Sequence, residues 1–493
     1  MGPKLNPACP VLFAVTLALC LLASASAQES VEVQVTGEVL STVPPDFFGL
    51  HYDGPEHHTS NGITGELMTM PGAYGSQAAR KLLRDVGVSV VRIFLTAVEI
   101  RPDAGTWNWD STDRSVAQVI EAGMRPMLCL RQAGPEWIGG TAETGWWKTE
   151  TGRAAWDEYA SEVARRYGDR CRWYEVFNEP NIIHAEKPDC FGWDGIAEMY
   201  LVAARAIRAQ DADAIIGGAA TWAAWETAEF GRHVLKRPDG EAMLDFVSYH
   251  IYTTHSLEES NETLMSRTPW FRETPAYIRA QLAPLTDKRI LAICTEYNSN
   301  AIWSKDGKPF TDKRCTNAFG GILSASVLCN SALGAADMVM HFATIGGFGL
   351  IVWPPEYQPQ ACYFAHALLH QVAGLRSGSQ MLKTTCSLPP ETAQSAVRGE
   401  LTDAALETYA VRDSAGILSV ILVHKRATPA LRVSLKVPGD ITAANLYRYS
   451  ARRIPDSLYP VERLQSAAGA LAVDCEPYSI TVVRFGLGSA AAE

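Results

Sequence analysis

Between residues 45 and 371, short apolar runs alternate with longer stretches in which apolar residues recur every three or four positions. The first pattern predicts buried strands and the second amphipathic helices. Phe47-Phe48-Gly49-Leu50-His51-Tyr52 opens the series as a strand. Residues 76–86 follow as a helix stopped by Gly87, then 88–95 as a strand. A helix holding Val116, Val119 and Ile120, capped by Ser111 or Thr112, leads to a strand over 126–130. Trp156, Tyr159, Ala160, Val163, Ala164 and Tyr167 recur at helical spacing before the strand that starts at Trp173. Further helices over 195–209, 230–235, 277–285 and 316–331 separate strands over 214–219, 244–250 and 289–298. Residues 339–343 or 348–353 close the series. The alternation implies parallel strands with helical crossovers, and eight units make an α/β fold, the (β/α)8 TIM barrel.

After residue 371 the pattern changes to short strand-like runs at 408–412, 417–424, 431–437, 444–449, 470–473 and 478–485, with turn residues between. This predicts a C-terminal β-sandwich over 372–493. It reads as a cap on the barrel, with sugar binding through Tyr447 or Tyr449 as the alternative. Val31, Val33 and Val35 alternate with Glu32 and Gln34, so residues 28–44 should supply a half-exposed strand to that sandwich. The barrel then occupies 45–371.

Residues 1–27 read as a secretory signal: Lys4, an apolar run over 11–23, and the small residues Ala25-Ser26-Ala27 before a mature start at Gln28. A secreted or periplasmic protein with no membrane association after cleavage is expected. The net charge of −11 and the lack of a basic run argue against a nucleic-acid partner. The cysteines form no Cys-x-x-Cys pair, and a disulfide between Cys386 and Cys475 in the C-terminal module is one expectation. His57 and His58 lie close together, but no further ligand completes a site; neither metal nor cofactor is expected.

Two strands carry the candidate chemistry. Trp173-Tyr174-Glu175-Val176-Phe177-Asn178-Glu179-Pro180-Asn181 stops at Pro180, which cannot donate to a sheet ladder. Arg289-Ile290-Leu291-Ala292-Ile293-Cys294-Thr295-Glu296-Tyr297-Asn298 likewise ends in a carboxylate beside an asparagine. Catalytic side chains project from the C-terminal ends of barrel strands, and two carboxyls there meet the basic requirement of glycoside hydrolysis. Arg92 lies within a barrel strand, where its charge must be paired, either with Glu296 or with a structural acid. His250 and Tyr252 alternate to one side of their strand. With His51, Asn178, Trp137 and Trp353 they make the candidate substrate-binding set, and Trp146, Trp147 and Trp222 add aromatic surface for sugar rings.

Phe177-Asn178-Glu179-Pro180-Asn181 and Thr295-Glu296-Tyr297-Asn298 together resemble the acid/base and nucleophile strands of clan A retaining glycoside hydrolases. The resemblance implies Glu179 as acid/base on strand four, Glu296 as nucleophile on strand seven, Asn178 on a sugar hydroxyl, and His250 and Tyr252 against the nucleophile. A raised Glu179 pKa is expected from the Glu296 charge and apolar walls. Thr106-Trp107-Asn108-Trp109-Asp110 through Asp113, and Pro126-Met127-Leu128, resemble family 39, which includes β-xylosidases and iduronidases. Residues 325–339 and 357–374 and Glu476-Pro477-Tyr478-Ser479 resemble family 51 arabinofuranosidases, although that family usually lacks proline after its acid/base. The implied activity is xylosidase- or arabinofuranosidase-like, on an oligo- or polysaccharide of plants or microbes. A catalytically inactive carbohydrate-binding protein and a transglycosylase are the alternatives on the same fold.

Overall fold

The structure is a computed structural model that describes residues 29–52, 73–132, 149–182, 192–397, 399–427, 429–439, 443–454, 462–465 and 470–486. The leader, His57, His58, Trp137, Trp146 and Trp147 lie outside the described residues. Eight parallel strands close a barrel: β2 (Phe48–His51), β3 (Val90–Leu95), β4 (Arg125–Leu130), β5 (Trp173–Val176), β6 (Ile215–Thr221), β7 (Phe246–Thr254), β8 (Leu291–Asn300) and β11 (Met338–His341). The short strands β9 (Ser304–Lys305) and β10 (Lys308–Pro309) form a hairpin after β8. Of the two closing runs, the earlier one forms the strand, paired with β8 and β2. Gly346–Phe348 is a 3-10 turn, and Ile351 makes isolated bridges only.

Local signals explain some helix boundaries. Ser76 accepts from Ala79 N and caps Gln77–Asp85, and Gly87 follows at φ 80°. The helix expected to begin at Ser111 or Thr112 starts earlier, as Asp110–Glu121, and Trp109 at its N-cap makes no side-chain cap. Asp110 and Asp113 in its first turn favour the N-terminal end of the helix dipole instead.

The barrel interior is layered. Val90, Met127, Trp173, Phe246, Ile293, Met338 and Met340 form one apolar cluster inside it. Two residues further along β3, β4, β5 and β7 come Arg92, Cys129, Glu175 and Ser248, each fully buried. Because strand side chains alternate, these four face inward as a polar layer, one step closer to the C-terminal mouth.

A nine-stranded sheet covers the barrel's flank. Its order is β19 (Glu462–Gln465), β18 (Ala443–Ser450), β21 (Ser479–Phe485), β16 (Leu418–His424), β15 (Leu406–Arg412), β12 (Gln380–Cys386), β1 (Glu29–Thr42), β17 (Leu431–Lys436) and β20 (Leu471–Cys475). A separate hairpin pairs β13 (Glu391–Gln394) with β14 (Glu400–Asp403). The sheet's central strands are buried on both faces. Val420 and Leu422 belong to the sandwich core, whereas Ile421 and Val423 belong to the barrel core. Cys386 and Cys475 are free thiols, against the disulfide expectation. They sit on β12 and β20, which β1 and β17 separate, roughly 14 Å of sheet at about 4.8 Å per strand.

Candidate active site

The turn after β5 is shaped against its own preferences. Phe177 and Glu179 both take positive φ, 79° and 51°, which non-glycine residues rarely adopt. The surroundings hold them there. Phe177 N–H donates to Leu130 O at 2.8 Å, and its ring stacks on Trp156. Gln132 brackets Asn178, accepting from its N–H at 3.0 Å and donating to its carbonyl at 2.7 Å. Glu179 N–H donates to Ala220 O at 3.0 Å. The result is a Glu179 side chain at the barrel mouth, with Oε1 at 2.8 Å from His250 Nδ1.

The second glutamate depends on a bulge. Ile293 faces the interior cluster, and regular alternation would turn Glu296, three residues on, toward the helices. The pairing with β7 shifts at this point: Tyr249 faces Cys294, and the next residue, His250, faces Glu296. The register with β11 shifts over the same residues. Thr295 is the extra residue, and the bulge brings Glu296 into the barrel.

Arg92 joins the two strand ends. Its Nε donates to Glu175 Oε2 at 2.6 Å, Nη1 to Glu296 Oε1 at 2.6 Å, and Nη2 to Asn178 Oδ1 at 2.8 Å. Both expected partners, the mouth glutamate and a structural acid, are therefore present at once. Tyr252 donates to the other Glu296 oxygen at 2.8 Å, and burial with the Glu296 charge pushes its phenol well above the usual range, so it remains a donor. One oxygen from each of Glu179 and Glu296 and a ring nitrogen of His250 lie within 4.8 Å of one another. That spacing could hold a cation, but these oxygens already accept from Arg92, Tyr252 and His250.

Glu179 departs from expectation. Burial pushes its carboxyl up, but the hydrogen bond and charge of His250, with Arg92 and His255, outweigh burial and hold it below its ordinary value. The sequence argument counted the repulsion from Glu296 and could not see the imidazole at 2.8 Å. Glu175 is likewise held low: burial opposes its charge and Arg92 restores it.

Glu179, Tyr252, Glu296 and Trp353 line one cleft of about 950 Å3. Trp353 packs on Gly346, whose φ of 82° and lack of Cβ let the indole approach; a Cβ there would meet the ring at 2.4 Å. His51 is buried at the end of β2, edge-on to Phe94 and against Phe342. Trp137 lies outside the described residues. Sequence reasoning missed Glu175, Gln132, His255 and the β9–β10 hairpin with Trp303. Glu175 was in view as an acid between apolar strand residues, the same signal that marked Arg92.

Comparison with known proteins agrees with this geometry. An α-L-arabinofuranosidase from Thermotoga maritima in complex with arabinose has the same fold, with a TM-score of 0.63 at 15% identity over 92% of this chain and 99% of that one. A monomeric β-xylosidase from Caulobacter crescentus gives 0.59 at 15% identity over 93% and 99%. The bifunctional beta-D-glucosidase/beta-D-fucosidase of Bifidobacterium breve is 33% identical over 130 residues, covering 25% of this chain and 28% of that protein. The chain thus spans little more than a quarter of that relative's length. The profile of glycosyl hydrolases family 39 matches residues 61–319, a span that includes the turn after β5, the bulge in β8 and both mouth glutamates. With more than half its length and both of its mouth glutamates inside that match, the chain belongs to glycosyl hydrolases family 39.

Proposed function

We propose that the protein is a secreted retaining glycosidase with a xylosidase- or arabinofuranosidase-like activity on plant or microbial glycans. One observation carries the mechanism: carboxyl oxygens of Glu179 and Glu296 within 4.8 Å. Retaining enzymes keep their carboxyls about 5–5.5 Å apart, whereas inverting ones need about 6.5–9.5 Å to admit water on the far face. Glu296 is the nucleophile. Arg92 and Tyr252 hold both its oxygens, so its rotamer is set before substrate arrives. Glu179, more exposed and not hydrogen-bonded to Arg92, protonates the departing oxygen and then, as base, draws a proton from water. When the sugar forms its bond to Glu296, that carboxylate's charge is lost, and the bound state of Glu179 changes with it. Asn178, fixed by Gln132 and Arg92, offers its amide Nδ2 to the sugar hydroxyl beside the reacting carbon.

The sugar preference draws support from the arabinofuranosidase and β-xylosidase folds and from the family match. A panel of fluorogenic glycosides identifies the sugar. A 2-deoxy-2-fluoro glycoside of that sugar should then label Glu296 covalently. Peptide mapping that places the label elsewhere overturns the assignment.

A further inference from the structure

Beside Glu179 stands an indole that the mechanism above does not use. Trp222 follows β6 directly, on the strand adjoining that of Glu179, and is 46% exposed. It lines the same cleft as Glu179, Ile182, Tyr252 and His255. Its exposure is not looseness. The His255 ring meets it edge-on at 5.7 Å, and Glu226 lies four residues further along the chain. Glu226 is only 5% exposed, in the first turn of the helix Ala224–Leu235. The short link between β6 and that helix is tied by the hydroxyls of Thr221 and Thr227 at 2.6 Å.

Glu226 has a buried partner. Its Oε2 accepts from Asn181 Nδ2 at 3.0 Å. Asn181 is fully buried and lies two residues beyond Glu179, in the same turn. The Glu226 carboxyl therefore holds the segment that carries Glu179, from a helix that begins two residues after the exposed indole. Burial pushes that carboxyl up to about 7, with the nearby Glu179 charge in the same direction, while Asn181 and Trp222 pull it down.

An indole braced by a neighbouring ring and half-exposed at a cleft is preorganised for stacking. Glu179 gives its proton to the departing oxygen, so the departing group must lie against Glu179 and within reach of its neighbours. The cleft volume, about 950 Å3, sits near the top of the range of about 300–1,000 Å3 for ligand sites. It has room beyond the sugar whose bond is cut. We infer that Trp222, braced by His255, is a stacking platform for a sugar ring in the leaving group. Glu226 is the positioning residue that ties the segment beside this platform to the acid/base turn. The inference rests on the retaining reading above and adds a leaving-group subsite to it.

The test compares two substrates with the same transferred sugar: a disaccharide and a glycosyl fluoride, beginning with xylobiose and xylosyl fluoride. Fluoride is too small to reach Trp222 and needs no proton. Trp222→Ala should lower kcat/KM on the disaccharide by about tenfold, chiefly through KM, and change the fluoride by less than about twofold. Trp222→Phe, which keeps an aromatic face, should recover much of the loss. Glu226→Ala should lower kcat/KM on the disaccharide while sparing kcat/KM on the fluoride, whose glycosylation step needs no proton, and Glu226→Gln, which keeps an acceptor, should be milder. Equal losses on both substrates, or no loss on the disaccharide, overturn the inference. Labelling of Glu296 reports on the underlying reading separately: a protein labelled there, whose Trp222→Ala variant treats both substrates alike, retains the mechanism and loses the subsite.

Discussion

Arg92 in the barrel and Lys425 between barrel and sheet are both fully buried, and each lies against two carboxyls. Arg92 meets Glu175 and Glu296; Lys425 meets Asp403 and Glu407 at the sheet–barrel junction, where Ser326 and Thr268 of the barrel join the network. By burial and pairing alone the two clusters are alike. They differ in what borders them. Glu296 opens on the cleft and has Glu179 and His250 across from it. Asp403 and Glu407 border a smaller cavity of about 350 Å3, but among the described residues no other acid and no histidine lines it, and Lys425 packs against the segment around Met265. A buried charge cluster marks chemistry only where further reacting groups face it; elsewhere the same physics joins two layers of the fold.

The largest break in this comparison comes at Glu296. Glu296→Ala should cost on the order of 10⁶ in kcat, the scale of removing a covalent nucleophile. Added azide should attack directly and yield a product of inverted configuration. Glu179→Ala should lose about 10²–10⁴ on glycans and far less on aryl glycosides that leave unaided. Its azide product should keep the configuration, because Glu296 still reacts first. Products of one configuration from both variants would refute the two roles.

Lys425→Met sharpens the contrast from the other side. It leaves Glu407 without its cation and Asp403 with Arg426 alone, and should cost about 3–5 kcal/mol in denaturant unfolding, with kcat of the folded protein unchanged. Loss of kcat at full folding would show that the junction reaches the site. Burial opposes the Glu407 charge, but Lys425 holds its carboxyl below the ordinary value. Its stabilisation is therefore present above the unfolded carboxyl pKa and is lost as pH falls through the lowered one. The variant should lose this acid-side slope.

The smallest effect is a shift of pH profile. Glu179 acts protonated and is held low by His250 despite its burial. The alkaline limb of kcat/KM, which reports the free enzyme, should lie on the acid side of an ordinary glutamate. His250→Gln removes the imidazole charge, so the limb should move to higher pH. A limb that stays in place would mean that another group sets it.

The chain's own pattern determined much of this molecule. Apolar runs and helical spacing are local properties, so the barrel strands and the late strands from residue 406 onward, except Glu462–Gln465, were legible within a few residues. The strand expected to stop at Pro180 ends at Val176, before the turn that carries Glu179, whereas an arginine between apolar strand neighbours announced a buried pair. What sequence could not supply was whatever depends on two strands meeting. The bulge at Thr295 is a mismatch between β8 and its neighbours, invisible in either strand alone, yet it decides that Glu296 points inward. Arg92 turned out to serve both Glu175 and Glu296 because the barrel closes around it. The depressed carboxyl of Glu179 comes from a histidine 71 residues away in sequence and 2.8 Å away in space. Electrostatic energy follows distance through the fold, and that distance is set only when the barrel has formed.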